Sequence, residues 1–497
     1  MCSHSSVAGP SRTLEGLTLA APCLPGGGAR ALLLVWLLLG SLLPAAAWAQ
    51  GAPATTAPEG AAPAGVDTLY ARGVAALQKK DAEAAEAALR ACVTQAPARV
   101  DCRWELGWAL SLQRRWAEVV EAWEAVEALQ PDHPELAEHL GRARAQAALA
   151  AELEQEAAEA PEPPDPKALE GRRLRLRAAG DVMLGSDFPK GYLPPGGGGA
   201  VLAGVRDLLA DADLTFINLE GPLCDGGETR KCGKGGNCYA FRSPTAYGAH
   251  LREAGVDLAS TANNHSGDFG EYCRRETEAT LDALEIAWSG PPGSVATVEA
   301  QGLRVAMIAF HTSSACNWVN DHAAAAALVR KAGRSHDLVV VSFHGGAEGS
   351  KALRVPHGRE TFYGENRGHL RAFTHAVVDA GADLVLGHGP HVVRGIEVYK
   401  GRLIAYSLGN FATYGRFNLS GPLGLGLVLE VELAGDGRFL GGQLLATRQI
   451  GKGFAVRDEG GGAIKLIRRL SKQDFPETGV VVGKEGRIWA PASAPSP

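Results

Sequence analysis

The sequence lacks an excess of basic residues. Its 49 Lys and Arg residues are outnumbered by 55 Asp and Glu residues, which gives a formal net charge of −6 over 497 residues. A protein that binds nucleic acid usually presents a basic patch and a high isoelectric point. The composition therefore predicts that nucleic acid is not a partner of this chain.

Two motifs are also missing. The nine cysteines include no Cys-x-x-Cys pair, and structural zinc sites usually take their ligands from such pairs. The glycine run 196–199 follows a Pro-Pro pair but lacks the lysine and serine of a phosphate-binding loop. The sequence thus argues against a structural zinc site, and we interpret 196–199 as a turn.

The N-terminal region contains an export signal. Arg30 precedes an apolar run over 31–49, and residues 47–49 form a small-x-small cleavage pattern. We expect a signal peptide over 1–49 with cleavage before Gln50, or alternatively an uncleaved membrane anchor. No cysteine stands at the cleavage point, so a lipoprotein is not expected. Either reading predicts an exported protein, periplasmic or at the cell surface.

A 34-residue period follows the Ala- and Pro-rich linker over 50–65. Gly73, Gly107 and Gly141 are each 34 residues apart. This spacing resembles the tetratricopeptide repeat, in which small residues let paired helices pack closely. The resemblance implies helical repeats over 66–158 that bind a protein partner. The alternative is a pair of helical hairpins whose spacing coincides by chance.

Export makes disulfides the first expectation for the cysteines that follow the signal. Cys92 and Cys102 flank the predicted turn between the repeats, so a disulfide is expected there. Seven cysteines follow residue 50, and an odd number leaves one thiol over. Four others surround a glycine-rich insertion, where we expect two disulfides that hold a loop over the site: Cys224, Cys232, Cys238 and Cys273.

The acidic, proline-rich stretch 159–172 marks a domain boundary. Beyond it, over 173–455, short apolar strands alternate with glycine turns and amphipathic helices, a pattern typical of the α/β class. The remaining segment, 456–497, contains one predicted helix and shows no motif with chemical function.

Six predicted strands of this α/β region end in polar side chains, usually beside a glycine. Catalytic groups of α/β enzymes commonly follow the carboxyl ends of strands. Carboxylate oxygens, an amide carbonyl and imidazole nitrogens together suit a first-row divalent ion. The sequence therefore predicts a metal site built from the strand ends, which supply Asp181, Asn218, Glu220, Asn263, Asn264, His265, His344, His388, His391 and Asn410.

The motifs GDVML, NLEGPL, ANNHSGDFG, HGG and GHGPHVVRGIEVYKGRLIAYSLGNF together resemble the capsule-synthesis CapA family, also called the poly-γ-glutamate synthesis family. That family is similar to the calcineurin-like metallophosphoesterases. The resemblance covers residues 174–435 and implies an α/β, four-layer αββα sandwich of two sheets flanked by helices. It also implies one or two divalent ions (Mn, Fe or Zn) at the strand ends. The implied activity is a metal-dependent hydrolase or transferase acting on a cell-envelope polymer or its anionic precursor.

The resemblance assigns roles to individual residues. His265 would protonate the leaving group, and Asp268 would orient its imidazole. The implied metal ligands are Asp181, Glu220, Asn264, His344, His388 and His391. Four further candidates would contact substrate, with a solvated loop charge as the alternative for the arginine: Asn218, Asn263, Asn410 and Arg354.

The sequence departs from the metallophosphoesterase pattern at three places. Met183 stands where the first motif has a histidine, Glu220 replaces an aspartate, and the last two histidines are spaced His-x-x-His. A single ion is therefore the alternative to a two-ion centre. Two other functions remain open, a non-catalytic scaffold of a polymer-export assembly and a general periplasmic phosphoesterase.

Overall fold

The computed structural model describes residues 65–158, 169–229, 231 and 239–492, with only the backbone described over 152–158. The predicted signal peptide or anchor over 1–49 lies outside the described residues. So do all but the last residue of the linker 50–65, residues 159–168 of the proline-rich stretch, and the two cysteines Cys232 and Cys238. Within the described ranges, no helix has both the length and the apolar character needed to cross a bilayer.

Five helices form the first part of the described chain: α1 (Val66–Gln78), α2 (Ala82–Gln95), α3 (Val100–Leu112), α4 (Trp116–Leu129) and α5 (Leu136–Ala158). Helix α2 begins where the side chain of Asp81 accepts a hydrogen bond from the Ala84 N–H, the usual way to satisfy a free N–H at a helix start. The buried side chains of α2 to α5 form one hydrophobic cluster, and side chains of α1 pack against it.

The 34-residue period corresponds to a repeated contact between paired helices. A Cβ at Gly73 would lie 2.4 Å from Leu89, and a Cβ at Gly107 would lie 2.0 Å from the ring of Trp123. Both the two glycines and the two residues they face are 34 positions apart. The predicted close packing is therefore present at Gly73 and Gly107 but not at Gly141, where a Cβ would meet nothing within 4 Å. Membership of the tetratricopeptide repeat family stays a prediction.

Two disulfides are present among the described residues. Cys92 and Cys102 join α2 to α3, as their positions in the sequence predicted. A second disulfide links Cys224 to Cys273, two of the four cysteines that were expected to pair around the glycine-rich insertion. Cys316 is a buried free thiol.

The α/β part contains the remaining elements. Its helices are α6 (Gly199–Leu202), α7 (Arg206–Ala210), α8 (Gly248–Glu253), α9 (Gly270–Ala283), α10 (His322–Gly333), α11 (Leu370–Asp379) and α12 (Gly462–Asp474). Its strands are β1 (Arg173–Met183), β2 (Leu214–Leu219), β3 (Leu258–Ser260), β4 (Ala287–Ser289), β5 (Ala296–Ala300), β6 (Leu303–His311), β7 (Asn317–Trp318), β8 (Leu338–His344), β9 (Thr361–Phe362), β10 (Glu365–Asn366), β11 (Leu384–His388), β12 (Ile396–Tyr399), β13 (Arg402–Ala405), β14 (Asn410–Thr413), β15 (Leu425–Ala434), β16 (Phe439–Ile450), β17 (Phe454–Arg457), β18 (Val481–Val482) and β19 (Arg487–Trp489).

Most of these strands belong to two mixed sheets. The first has the order β18-β19-β16-β15-β1-β2-β3-β4, with β14 also paired to β1 and β17 to β16. The second has the order β12-β13-β11-β8-β6-β5, with β7 beside β6. Each sheet contains a run of neighbouring strands that are parallel. In the first sheet these are β14, β1, β2, β3 and β4, and in the second they are β13, β11, β8 and β6.

One buried cluster contains apolar side chains from both sheets, including Leu176 and Phe216 of the first and Val305 and Leu386 of the second. A second cluster joins the other face of the second sheet to α10 and α11. A third joins the other face of the first sheet to helices α6 to α9. The strands are nearly continuous apolar runs because both of their faces are buried.

The segment after residue 456 also contributes to the core. Ile467 and Leu470 of α12 and Ile488 of β19 are buried in the cluster shared by the two sheets. Helix α12 therefore packs against the shared core, and the helical spacing of its apolar residues reflects this contact.

Candidate metal centre

The first sheet places three polar side chains side by side. In the ladder, Asp181 at the end of β1 lies opposite Asn410 of β14 on one side and Asn218 of β2 on the other. Gly180 is needed here because a Cβ at this position would lie 1.9 Å from the carbonyl oxygen of Gly409. That carbonyl accepts a hydrogen bond of 2.9 Å from the Asp181 N–H, which fixes the end of β1.

The second sheet places three histidines in one row. His311, His344 and His388 are the last residues of β6, β8 and β11, and the parallel ladder sets them directly opposite one another. Since parallel strands end at the same edge, their last side chains meet there. His344 and His388 are fully buried, and His311 is nearly so.

The two strand edges meet at a cluster of three side chains. One ligand atom from each of Asp181, Glu220 and His344 lies within 4.8 Å of the others, and all three residues are fully buried. The Nδ2 of Asn218 donates to Asp181 Oδ1 at 2.8 Å and to Glu220 Oε2 at 2.6 Å. Asn218 therefore holds the two carboxylates close together.

The predicted histidine pair adjoins the same carboxylates. His388 Nδ1 lies 3.3 Å from Asp181 Oδ1, and His391 Nδ1 lies 2.9 Å from Asp181 Oδ2. The Nε2 of His391 is 4.0 Å from Glu220 Oε1. His391 adopts a φ of +59°, a strained backbone conformation for a residue other than glycine. In this conformation its ring lies against both carboxylates of the cluster.

His265 and Asp268 form a pair beside the cluster. His265 Nδ1 and Asp268 Oδ2 are 2.7 Å apart, and the other ring nitrogen, Nε2, lies 3.9 Å from Glu220 Oε1. Asp268 also accepts hydrogen bonds from Lys231 Nζ at 2.7 Å and from the Phe241 N–H at 2.8 Å. The carboxylate is thus held in place and orients the imidazole towards the cluster.

Burial and charge set the protonation of these groups. Burial raises the pKa of Glu220 well above its ordinary value, and the adjacent Asp181 carboxylate raises it further. Burial also acts to raise the pKa of Asp181, but His388 and His391 outweigh it, and the pKa falls below its ordinary value. Burial lowers the pKa of His344. A cation beside Glu220 would favour its ionised form.

Several buried polar atoms of the cluster make no hydrogen bond. Buried polar groups are normally paired, so unpaired atoms that lie together indicate a ligand. Carboxylate oxygen, amide oxygen and imidazole nitrogen are suitable donors for a divalent ion of the Mn, Fe or Zn type. The donor set therefore fits such an ion, and its unpaired atoms are Glu220 Oε1, Asn264 Oδ1, His344 Nε2 and His388 Nε2.

The remaining predicted residues have different positions. Asn263 donates to Asn218 Oδ1 at 3.2 Å and to the Leu219 carbonyl at 2.8 Å, so its amide nitrogen supports β2. Asn410 donates to the Leu423 carbonyl at 3.1 Å, while its Oδ1 is buried without a hydrogen bond. Arg354 is paired with Asp474 of α12 and donates to the Gln473 carbonyl at 3.3 Å. These contacts tie Arg354 to the C-terminal helix.

Two side chains near the cluster were not singled out in the sequence. His311 ends an apolar strand as His344 does, with ring centroids 5.6 Å apart, but it lacks the following glycine. Glu348 Oε2 lies 3.9 Å from His391 Nε2, and its other oxygen lies 2.9 Å from Arg367. The strand-end pattern without the glycine requirement would have found His311, whereas Glu348 lies in a loop and gave no such signal.

Met183 is buried at the position where the first motif of the metallophosphoesterases has a histidine. Its Sδ accepts a hydrogen bond of 3.2 Å from the Gly185 N–H, and its Cγ would lie 2.6 Å from a Cβ at Gly221. Met183 thus fills the space beside Glu220 with a thioether, a weak acceptor and a poor ligand for a hard cation.

Comparison with known proteins covers this part of the chain. Residues 175–414 match the model of the bacterial capsule synthesis protein family PGA_cap. Among solved structures, GAP50, the anchor in the inner membrane complex of Plasmodium, aligns over 60% of this chain and 95% of its own at 13% identity. Its TM-score is 0.28, which is too low to assign a fold.

Two curated relatives are capsule or PGA biosynthesis proteins. The capsule biosynthesis protein CapA of Bacillus anthracis is 28% identical over 268 residues, 49% of this chain and 61% of the relative. The PGA biosynthesis protein CapA of Bacillus subtilis is 26% identical over 249 residues, 47% of this chain and 61% of the relative. The chain thus spans about three fifths of the length of each relative. Residues 175–414 form a domain of the bacterial capsule synthesis protein family PGA_cap.

Proposed function

We propose that this protein is an exported, divalent metal-dependent hydrolase or transferase that acts on a capsule- or poly-γ-glutamate-type polymer of the cell envelope. The observation behind this proposal is the buried cluster of Asp181, Glu220 and His344, with the His265–Asp268 pair at its edge. The names of the two CapA relatives supply the polymer class.

Burial of the cluster has a high cost in free energy. Two carboxylates in full burial repel each other, and each is expensive to transfer from water. Asn218 offsets part of this cost with its hydrogen bonds, but Glu220 Oε1 and His344 Nε2 keep no partner. A divalent cation would satisfy these atoms and neutralise both carboxylates. When bound, such an ion would polarise an ester or amide group and make a water molecule more acidic.

His265 is positioned for proton transfer at the edge of the cluster. His265 Nε2 faces the cluster at 3.9 Å from Glu220 Oε1, while Nδ1 is fixed by Asp268. Phe241 packs against the His265 ring with centroids 4.3 Å apart, so the ring has a single orientation. When its ring is protonated, a histidine held in this way can give a proton to a leaving group from Nε2, the role expected of a general acid. Burial lowers the pKa of His265, which makes the protonated ring a stronger acid. Asp268 acts as its positioning residue.

The proposed fold is the four-layer αββα sandwich of the metallophosphoesterases. Two sheets share one core, and helices cover the other face of each sheet. This arrangement puts the strand ends of both sheets at one rim, where the cluster lies. The location outside the cytoplasm is supported by the disulfides Cys92–Cys102 and Cys224–Cys273, since such bonds persist in oxidising compartments.

The test uses the purified full chain, its metal content by elemental analysis, and its turnover of bis(p-nitrophenyl) phosphate and of γ-glutamyl peptides. We expect His265→Ala to reduce turnover by about 10²–10⁴-fold, the usual contribution of a general acid, with metal content unchanged. We expect Asp181→Ala to lose both metal and turnover, because it removes a carboxylate of the cluster.

The matched control is His375→Ala, a histidine whose partner is Glu397 on β12, 3.1 Å away. It should keep metal and turnover at wild-type levels. Loss of metal in His265→Ala would show that His265 is a ligand, not an acid. A wild-type protein with neither metal nor turnover would favour the non-catalytic scaffold, in which the helices over 66–158 dock a partner of a polymer-export assembly. Turnover of bis(p-nitrophenyl) phosphate without γ-glutamyl cleavage would indicate a general phosphoesterase.

A further inference from the structure

A cavity of about 770 Å³ lies where the helical repeats meet the loops next to the candidate metal centre. From the repeats it is lined by Lys80, Leu112, Arg114 and Arg142 among others. From the α/β part it is lined by residues at the ends of β3 and β6 and in the loops that follow these strands, including Asn263, Asn264, Asp268, His311, Thr312 and Ser313. Its size is within the range of small-molecule and oligomer sites.

The two parts of the chain are joined at the rim of this cavity by direct contacts. Arg114 donates to Asp321 at 2.6 Å and to the Asn320 carbonyl at 2.6 Å. Gln146 donates to the Ser314 carbonyl at 3.1 Å. The walls are therefore held at a fixed separation, so that the cavity is a property of the folded chain.

The lining is strongly cationic. Cations that converge in a cleft focus the potential and attract anions, and this attraction is stronger than at an open surface. Among the described residues, six cationic side chains line the cavity, against two carboxylates, Asp268 and Glu365. The cations are Lys80, Arg114, Arg142, Lys231, Arg274 and Arg359.

Four of these cations are paired with carboxylates: Arg114 with Asp321, Arg142 with Glu138, Lys231 with Asp268 and Arg274 with Glu271. The pairing is incomplete at two places. Arg359 is exposed and has no ion-pair partner in the described part of the chain, and Arg142 Nε is buried without a hydrogen bond. Burial lowers the pKa of Arg142, and repulsion from the neighbouring Arg274 guanidinium lowers it further. An anion in the cavity would relieve this repulsion and pair with the free N–H groups.

The floor of the cavity belongs to the candidate metal centre. Asn264, which lines the cavity, has its Nδ2 at 3.4 Å from His265 Nε2, and its Oδ1 is one of the unpaired atoms of the cluster. Asp268 lines the cavity and orients His265 at 2.7 Å. An anion held by the cations of the wall thus has one end beside the reacting groups.

We propose that the helical repeats form one wall of the substrate site, and that the cavity binds an extended chain with several carboxylate or phosphate groups. The inference rests on the proposed function in one respect, because it takes the metal centre as the place where the bound chain would react. In this view, the helices are a part of the binding site and supply Lys80, Arg114 and Arg142 to it.

The experiment measures binding without turnover. The full chain is titrated, in the presence of a chelator, into a fluorescent γ-linked glutamate oligomer and separately into fluorescent inorganic polyphosphate. The variant Lys80→Glu/Arg359→Glu reverses one charge on each wall, and we expect it to weaken binding by about tenfold or more and to reduce the salt dependence. Binding of one probe only would identify the carboxylate or the phosphate source.

The matched control is Lys79→Glu/Lys351→Glu, which makes the same change of net charge on the same two segments. Both lysines are exposed, and neither lines the cavity. It should change the affinity by less than about twofold, because surface charges beyond the cavity are screened. The milder variant Lys80→Gln/Arg359→Gln should lose an intermediate amount of affinity. It replaces the charge-reversed variant in the test if that variant fails to fold.

Equal loss in the cavity variant and the control would overturn the proposal, as would the failure of both probes to bind the wild type. Because the assay contains chelator and measures no turnover, its result is independent of metal content and catalysis. If the chain binds the oligomer but holds no metal, the proposed role of the cavity stands and only the proposed function is contradicted.

Discussion

The side-chain amide of Asn218 stabilises the pair of carboxylates on which the candidate centre depends. A single nitrogen, Nδ2, donates one proton to Asp181 and the other to Glu220, while Oδ1 accepts from Asn263 at 3.2 Å. An amide satisfied on both sides has one orientation and lowers the cost of burying two like charges. The role of Asn218 as a substrate contact stays a prediction; in this structure its amide binds the two carboxylates.

A glutamate away from the cluster gives a prediction about pH. Glu278 on α9 has a buried Oε1 without a hydrogen bond, and burial raises its pKa to about 7. Because the folded pKa is raised, the protonated form is favoured in the native state, and stability falls as pH rises from about 4.5 through about 7. We expect Glu278→Gln to be more stable than wild type at about pH 8 by about 1 kcal/mol, after allowance for solvent screening.

Urea unfolding at about pH 5 and about pH 8 measures this difference. The control is Glu121→Gln on α4, an exposed glutamate, which should shift stability equally at both pH values. If Glu278→Gln and wild type differ by the same amount at both pH values, Glu278 is not protonated in the native state.

The candidate ligand residues could be predicted from the sequence because most have a local signal, an apolar strand that ends at Asp, Asn or His. Asp181 and His344 are of this kind. The signal fails for side chains that reach the centre from loops, as Glu348 does, 3.9 Å from His391. The strand-end signal also does not distinguish a candidate metal ligand from a side chain that holds such ligands in place. Nothing in the sequence around Asn218 distinguishes an amide that binds carboxylates from one that binds substrate.

At the scale of elements, the helical repeats give a test of close packing. A Cβ at Gly107 on α3 would lie 2.0 Å from Trp123 Nε1, and that nitrogen donates to the Trp104 carbonyl at 3.1 Å, so the indole is held in place. We expect Gly107→Ala to lower the free energy of unfolding by about 1–3 kcal/mol, the usual cost of overpacking.

Gly141 on α5 is the matched control, because it occupies the next position of the same period and a Cβ there would meet nothing within 4 Å. Gly141→Ala should raise stability by about 0.5–1 kcal/mol, since alanine favours helix over glycine. Urea unfolding followed by far-ultraviolet circular dichroism measures both. Equal effects of the two substitutions would contradict the packing, and the 34-residue spacing would then carry no structural meaning.

Strand neighbours depend on contacts distant in sequence, which the sequence does not state. The pairing of β14 with β1 sets Asn410 beside Asp181, and neither strand contains a signal for the other. The same holds for Glu397 on β12, for which no role could be assigned from the sequence. It accepts hydrogen bonds from Tyr406 at 2.9 Å and from Thr478 at 2.8 Å, which joins the second sheet to the C-terminal segment.

At the scale of the whole molecule, the helices and the α/β part share one cavity. The sequence indicated two regions with different hydrophobic patterns, and the secondary structure of each could be predicted from its own periodicity. Their contact through Arg114 and Asp321 could not, because a salt bridge between distant segments has no local pattern. The position of the cations beside the candidate centre follows only from that packing, so the proposed binding site depends on the folded chain as a whole.

Removal of a bound ion should lower the stability of the whole protein. An ion that binds the native state alone stabilises it by mass action, by about 3–4 kcal/mol when its concentration is well above its dissociation constant. Without it, Asp181 and Glu220 face each other in full burial. We expect a chelator to lower the melting temperature of the wild type by about 5 °C or more, and Mn²⁺, Zn²⁺ or Fe²⁺ to restore it. Differential scanning calorimetry measures the shift.

Two variants decide what the shift means. His344→Ala removes one of the three clustered ligands, so it should melt at a lower temperature and no longer respond to chelator. His375→Ala removes a histidine that pairs with Glu397 and should keep the wild-type response. If chelator shifts His344→Ala as much as the wild type, the ion binds elsewhere. If it shifts neither, the buried carboxylates are kept together by Asn218, His388 and His391 alone, and the domain functions without a metal.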